Sequence, residues 1–90
     1  MKLIWKIEFE EKARKSLKKL DKTIETQILK YLKKVVSNNA NPKSFGKPLV
    51  ANLSGLWRYR VGDYRIICNI QDDILLILVI DIDHRSEIYN

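Results

Sequence analysis

Leu56-Trp57-Arg58-Tyr59-Arg60-Val61-Gly62-Asp63-Tyr64-Arg65-Ile66-Ile67-Cys68 is the stretch around which this 90-residue chain is organised. Apolar, aromatic and β-branched residues alternate with arginines on both arms, the period-2 pattern of half-buried strands. Gly62-Asp63 between them suits a two-residue hairpin turn with glycine at its first central position. With those two residues as the loop, Val61 faces Tyr64, Arg60 faces Arg65, Tyr59 faces Ile66 and Arg58 faces Ile67. Directly opposed residues share a face of a sheet, and so do residues two apart on one strand. Arg58, Arg60 and Arg65 therefore gather on one face, two of them directly opposed. Trp57, Tyr59, Val61, Tyr64, Ile66 and Cys68 form the other, apolar face. Opposed like charges cost roughly a few tenths of a kcal/mol, so folding gains nothing from the arrangement, whereas a polyanion crossing the face does.

Upstream, Leu3 to Ile7 alternates as a short strand, with Leu3, Trp5 and Ile7 on one side. From Glu8 to Leu20 the period changes: Phe9, Ala13, Leu17 and Leu20 fall at helical spacing, with glutamates at the start and Lys18 and Lys19 at the end, as the helix dipole favours. Asp21 is placed to cap a second helix, whose apolar stripe is Ile24, Ile28, Tyr31, Leu32, Val35 and Val36, and which ends at Ser37-Asn38-Asn39. Nine lysines and arginines against three acids between Glu11 and Lys34 make the outer faces of this helical hairpin basic. Asn41 to Ser54 reads as a loop anchored by Phe45, Leu49 and Leu53, from which Lys43 and Lys47 can reach a phosphate. Downstream of the hairpin, Gln71-Asp72-Asp73 turns the chain into a nearly continuous apolar strand, Ile74 to Ile82, of the kind buried centrally in a sheet. The expected architecture is α+β: an N-terminal strand and a helical hairpin packed on a mostly antiparallel four-stranded sheet. With neither repeats nor linkers, residues 1–90 form a single domain.

The net charge of +6 and pI near 9.6 favour an anionic partner without choosing among nucleic acid, anionic membrane and acidic protein. One cysteine and one histidine exclude a tetrahedral zinc site, and no cofactor or metal is expected. Cys68, inside an apolar strand, reads as a buried inert thiol. The N-terminus turns charged before any apolar run of useful length, and Ile74 to Ile80 is far short of a membrane span, so a cytoplasmic protein that does not engage the membrane is expected. Titratable groups collect beyond the last strand, in Asp83-His84-Arg85-Ser86-Glu87-Ile88-Tyr89-Asn90, and active-site groups are often carried on strand ends and their adjoining loops.

With its basic helical hairpin, its "LWRYRVGDYRIIC" strand pair and its terminal "IDHRSEIY", the sequence resembles the RelE/ParE superfamily of bacterial toxins from toxin–antitoxin modules over nearly its whole length. The "YRVGDYRI" hairpin and the downstream "HR…Y" carry the likeness. It implies a RelE-like fold and a type II toxin. RelE-type members are ribosome-dependent endoribonucleases that cut messenger RNA in the decoding A site, while ParE-type members share the fold and poison DNA gyrase instead. Arg85 and Tyr89 match catalytic positions of RelE-like nucleases, and Arg65 matches their phosphate-contacting arginine. Arg58 and Arg60 stand where the best-known RelE nucleases have lysines. Arginine keeps the electrostatic role of those lysines but stays protonated and cannot serve as a general base. The implied partners are the ribosome, messenger RNA and a cognate acidic antitoxin, with a toxin–antitoxin heterotetramer as one such assembly.

Metal-free RNA cleavage requires that the ribose 2′-hydroxyl lose its proton, that the phosphorane charge be stabilised and that the leaving 5′-oxygen be protonated. Arg58, Arg60, Arg65 and Arg85 suit the second task, at typically about a few kcal/mol per preorganised donor. His84 is the side chain suited to acid–base work, since free imidazole titrates at about 6.5. Tyr89 suits base stacking or proton transfer, and Glu87 suits the orienting of an arginine. The expectation is one concave basic site with Arg65, Arg85, Tyr89 and His84 catalytic and Arg58, Arg60, Lys43 and Lys47 binding RNA, cleaving through a 2′,3′-cyclic phosphate. The competing expectations are a gyrase poison without nuclease activity and a plain nucleic-acid-binding domain.

Overall fold

The computed structural model describes residues 5–37 and 41–84. In chain order they form β1 (Lys6–Phe9), α1 (Glu11–Lys18), α2 (Lys22–Val36), β2 (Lys47–Pro48), β3 (Trp57–Val61), β4 (Tyr64–Gln71) and β5 (Leu76–His84), with short 3-10 turns between α2 and β3 and between β4 and β5. The strands make a five-stranded sheet in the order β1-β5-β4-β3-β2. β1 runs parallel to β5, and the remaining neighbours are antiparallel. The β3–β4 register is the expected one, from Trp57 opposite Cys68 to Val61 opposite Tyr64. Gly62 takes φ +60° at the turn, which the first position of a type II′ hairpin demands and a side chain would strain.

The sheet has one strand more than expected because Lys47-Pro48 pairs with Arg58 and Trp57. Two residues leave no periodicity to detect, and proline fits there because an edge strand has a side that needs no donor. Phe9 ends β1 instead of opening the first helix, which begins at Glu11. Asp21 occupies the position before α2, but its side chain makes no capping hydrogen bond. The last strand starts two residues later than its apolar run: Asp72–Ile74 form a 3-10 turn, Leu75 takes φ +53°, and Ile74 is left exposed.

Both helices lie on one face of the sheet. Ala13 and Leu17 from α1 and Ile28, Leu32 and Val35 from α2 are buried with Tyr59, Ile66, Cys68, Ile70, Ile77, Val79 and Ile82, and Trp57, Val61 and Tyr64 pack at the margin. This is the apolar face of the hairpin, and each large side chain so buried contributes roughly 1.5–3 kcal/mol. The loop after α2 is tied to the same core. The Tyr59 hydroxyl donates to the Pro42 carbonyl at 2.9 Å and the Tyr31 hydroxyl to the Phe45 carbonyl at 3.2 Å. The two tyrosine rings meet edge to face, 5.8 Å apart. Phe45 packs against the core, whereas Leu53 is exposed and anchors nothing. Gly46 crosses so close over β3 that a Cβ there would lie 2.6 Å from the Arg58 carbonyl oxygen. That close crossing lets Lys47 pair with Arg58. No described helix is long and apolar enough to cross a membrane.

Candidate nucleic-acid interface

The sheet face turned away from the helices carries the cations. Lys47 on β2 lies opposite Arg58 on β3, and Arg60 lies opposite Arg65 on β4. Arg58 and Arg60 are two apart on one strand, so the four form one contiguous patch. Burial, and then the positive charges of Arg65 and Arg60, push the Arg58 guanidinium below its ordinary value. The guanidinium groups are thus near enough to feel one another, although arginine remains charged throughout. Ile67 lies between Arg58 on β3 and Asp81 on β5. It is only 8% exposed while standing outside the helix-side core, an apolar floor of the kind that long charged side chains cover with their stems.

An acidic border follows on β5. Asp81 pairs opposite Ile67 and Asp83 opposite Arg65. The register slips between these pairs and the rest of the strand: Ile67 meets Asp81 but Cys68 meets Val79, leaving Ile80 as the extra residue of a β-bulge. The bulge inverts the alternation. Ile77 and Val79 face the helices before it and Ile82 after it, so Asp81 and Asp83 join the arginine face. Asp81 is held at both oxygens. Its Oδ2 lies 3.2 Å from Lys12 Nζ on α1, and its Oδ1 accepts from the Ile82 N–H at 2.9 Å. The hydrogen bond and charge of Asp81 raise the Lys12 ammonium above its ordinary value, and Asp83 adds to the effect.

Among the residues expected to act together, the structure thus joins Arg58, Arg60, Arg65 and Lys47. Lys43 is elsewhere: its Nζ lies 2.7 Å from Asp72 Oδ2 and 5.6 Å from the Trp57 ring centroid. His84 is separated from the arginines as well. It pairs opposite Tyr64, the two rings meeting edge to face at 5.1 Å, on the face opposite to Arg65. Arg85, Glu87 and Tyr89 lie outside the described residues. Lys12 and the facing of Asp81 and Asp83 could not be read from the sequence. Cys68 is buried on the helix side, and burial pushes its thiol up to about 12. Among the described residues, no group of three or more His, Cys, Asp and Glu side chains is placed to hold a metal ion. A separate apolar groove between β1 and α2 is lined by Ile7, Phe9, Leu29, Leu32, Lys33 and Val36.

Comparison with known proteins bears on this geometry. The family model described as the ParE toxin of the type II toxin–antitoxin system parDE matches residues 7–89. Toxin RelG of Mycobacterium tuberculosis is 31% identical over 83 residues, which is 92% of this chain and 93% of that protein. Toxin RelE of the same organism is 34% identical over 77 residues, 86% of this chain and 77% of that protein. Among solved structures, the toxin–antitoxin complex RelBE2 from M. tuberculosis superposes with a TM-score of 0.81 at 27% identity, covering 92% of this chain and 100% of that one. The intact Escherichia coli RelBE toxin–antitoxin complex superposes with a TM-score of 0.69 at 20% identity, covering 89% of this chain and 95% of that one, a likeness of fold.

Proposed function

The chain belongs to the ParE toxin family of type II toxin–antitoxin systems, within the RelE/ParE superfamily, and from that premise we propose that it is a ribosome-dependent endoribonuclease cutting messenger RNA in the A site. The observation that carries this reading is the contiguous Lys47, Arg58, Arg60 and Arg65 patch on a rigid sheet face that neither helix covers. The relative named Toxin RelE supports it.

In the proposed reaction the 2′-oxygen attacks the adjacent phosphorus and the 5′-oxygen leaves, giving a 2′,3′-cyclic phosphate and a 5′-hydroxyl. Arg65 holds the scissile phosphate and stabilises the phosphorane charge, with Arg58 and Arg60 beside it. Such donors act most strongly when the scaffold fixes them before the charge develops, and paired strands do that. Arg85 and Tyr89 match catalytic positions of RelE-like nucleases, where Arg85 adds positive charge and Tyr89 suits base stacking or proton transfer. His84, edge to face with Tyr64 on the other face, is given no proton to carry. The proposal includes a cytoplasmic setting and a cognate acidic antitoxin, as RelB partners the toxins in the complexes named above. The lysine-rich helical hairpin suits an acidic segment that folds as it binds.

The second reading, a gyrase poison without nuclease activity, is favoured by the name of the matching family model, ParE. Expression in bacteria separates the two. The wild-type chain should halt amino-acid incorporation before any DNA break appears, and Arg65→Ala should weaken that effect by about 100-fold or more, the typical effect of losing one such donor. Gyrase-linked DNA breaks with translation initially intact would replace the first reading with the second.

A further inference from the structure

The arginines occupy only one end of the open sheet face. Along β4, Ile66, Cys68 and Ile70 turn towards the helices, so alternation puts Arg65, Ile67, Asn69 and Gln71 on the other side. On β5, Ile77 and Val79 belong to the helix-side core, which leaves Leu76 and Leu78 on the open side as well. The register sets Asn69 opposite Leu78 and Gln71 opposite Leu76, and all four are half-buried. At about 3.4 Å per residue, Asn69 and Gln71 stand about 13 and 20 Å along the strand from Arg65. The face thus changes character along β4, from guanidinium groups to amides set against leucines. Asparagine is depleted in strands, so folding does not account for one here. Phosphate contacts position a nucleic acid, whereas contacts to base edges specify its sequence. The arginine end suits the first task. An amide, which carries a donor and an acceptor side by side, suits the second.

We propose that Asn69 and Gln71 determine sequence specificity, reading the bases of the messenger beside the cut. The inference rests on the nuclease reading above and deepens it. While Arg65 holds the scissile phosphate, the flanking bases lie along β4, the nearer over Ile67 and Asn69 and the farther over Gln71 and Leu76. Unpaired bases of single-stranded RNA offer their edges freely, and the apolar side chains beneath them remove ring surface from water. The Asn69 amide oxygen accepts from the N6 amino group of adenine, and its N–H donates to N7. Guanine presents the O6 acceptor where adenine has that amino group, so it faces the amide oxygen with a second acceptor. Adenine is therefore preferred to guanine beside the cut. No bond forms or breaks at either amide, and the chemistry stays at the arginine end of the face.

The test is cleavage on ribosomes programmed with messengers randomised in and beside the A-site codon, the cut ends being sequenced for the wild type, Asn69→Leu, Gln71→Leu and Asn69→Asp. The wild type should cut sequences with adenine beside the cut about tenfold or more faster than their guanine counterparts, the discrimination of one bidentate pair. Asn69→Leu, which keeps the size and removes the amide, should level that preference while guanine sequences are cut at the wild-type rate. Gln71→Leu should level a preference farther from the cut. Asn69→Asp can only accept, so it should move the preference towards cytosine, whose N4 amino group donates. A merely structural role would not change which base is favoured. Variant profiles that superpose on the wild type's give this face to another occupant and overturn the assignment, as does a loss of rate uniform across sequences; both leave the nuclease reading standing. A wild type that cuts nothing removes both.

Discussion

Tyr59 is fully buried, yet its hydroxyl keeps a partner in the Pro42 carbonyl. Tyr59→Phe removes that buried hydrogen bond, so it should lower unfolding stability by about 0.5–1.5 kcal/mol in urea titration. Cys68 lies in the same core, with its thiol pushed up to about 12 from 9.0 by burial. The folded state therefore favours the neutral thiol. Its contribution to stability is full below pH 9 and is lost as the pH climbs from 9 towards 12, because the unfolded thiol ionises first. Urea midpoints at pH 8, 10 and 11 should fall in that order, and the native thiol should resist alkylation at pH 8. The inert character of Cys68 was legible in the sequence from its apolar neighbours. The allegiance of Lys43 was not: Asp72, its partner, is 29 residues away, and nothing local distinguishes it from Lys47, which does reach the patch.

The β3–β4 hairpin was legible down to its register because a strict period of two, broken only by Gly-Asp, admits one alignment that buries an apolar face. β5 was not, because an unbroken apolar run has no period to reveal where a strand begins or where it bulges. The bulge also accounts for the position of His84. Uninterrupted alternation from Ile77 and Val79 would send residue 84 to the arginine face, whereas the extra residue at Ile80 returns it to the helix side beside Tyr64. Deleting Ile80 should remove the bulge and leave Asp81, Ile82 and Asp83 on their present faces, because Val79 opposite Cys68 would then be followed directly by Asp81 opposite Ile67. We expect the shortened chain still to melt cooperatively, and Ile80→Val to melt within about 1.5 kcal/mol of wild type; thermal denaturation followed by circular dichroism decides, and a non-cooperative deletion variant would contradict the register. Gly46→Ala probes the crossing over β3. Its Cβ would meet backbone, the Arg58 carbonyl at 2.6 Å, which has no rotamer to yield, so a loss of about 1–3 kcal/mol is expected from urea titration.

For the molecule as a whole, the sheet divides two kinds of surface. One face is buried under α1 and α2, and the other sets four cations beside an acidic border on β5. The net charge of +6 does not say where the cations gather, whereas the strand order and register do. Binding to single-stranded RNA should weaken steeply with salt. Neutralising Lys47, Arg58, Arg60 or Arg65 singly should each reduce the slope of log affinity against log salt by about 0.7. Lys43→Ala should leave the slope unchanged, because that ammonium already pairs with Asp72. A patch that engages RNA need not cut it, so the decisive observation is the chemistry of the messenger ends. Purified toxin is added to ribosomes paused on a defined messenger, and the RNA ends are mapped at single-nucleotide resolution for the wild type and Arg65→Ala. The expected result is a cut within the A-site codon, bearing a 2′,3′-cyclic phosphate, that is lost with Arg65→Ala. Intact A-site messenger under wild-type toxin, or identical ends with both proteins, would contradict it.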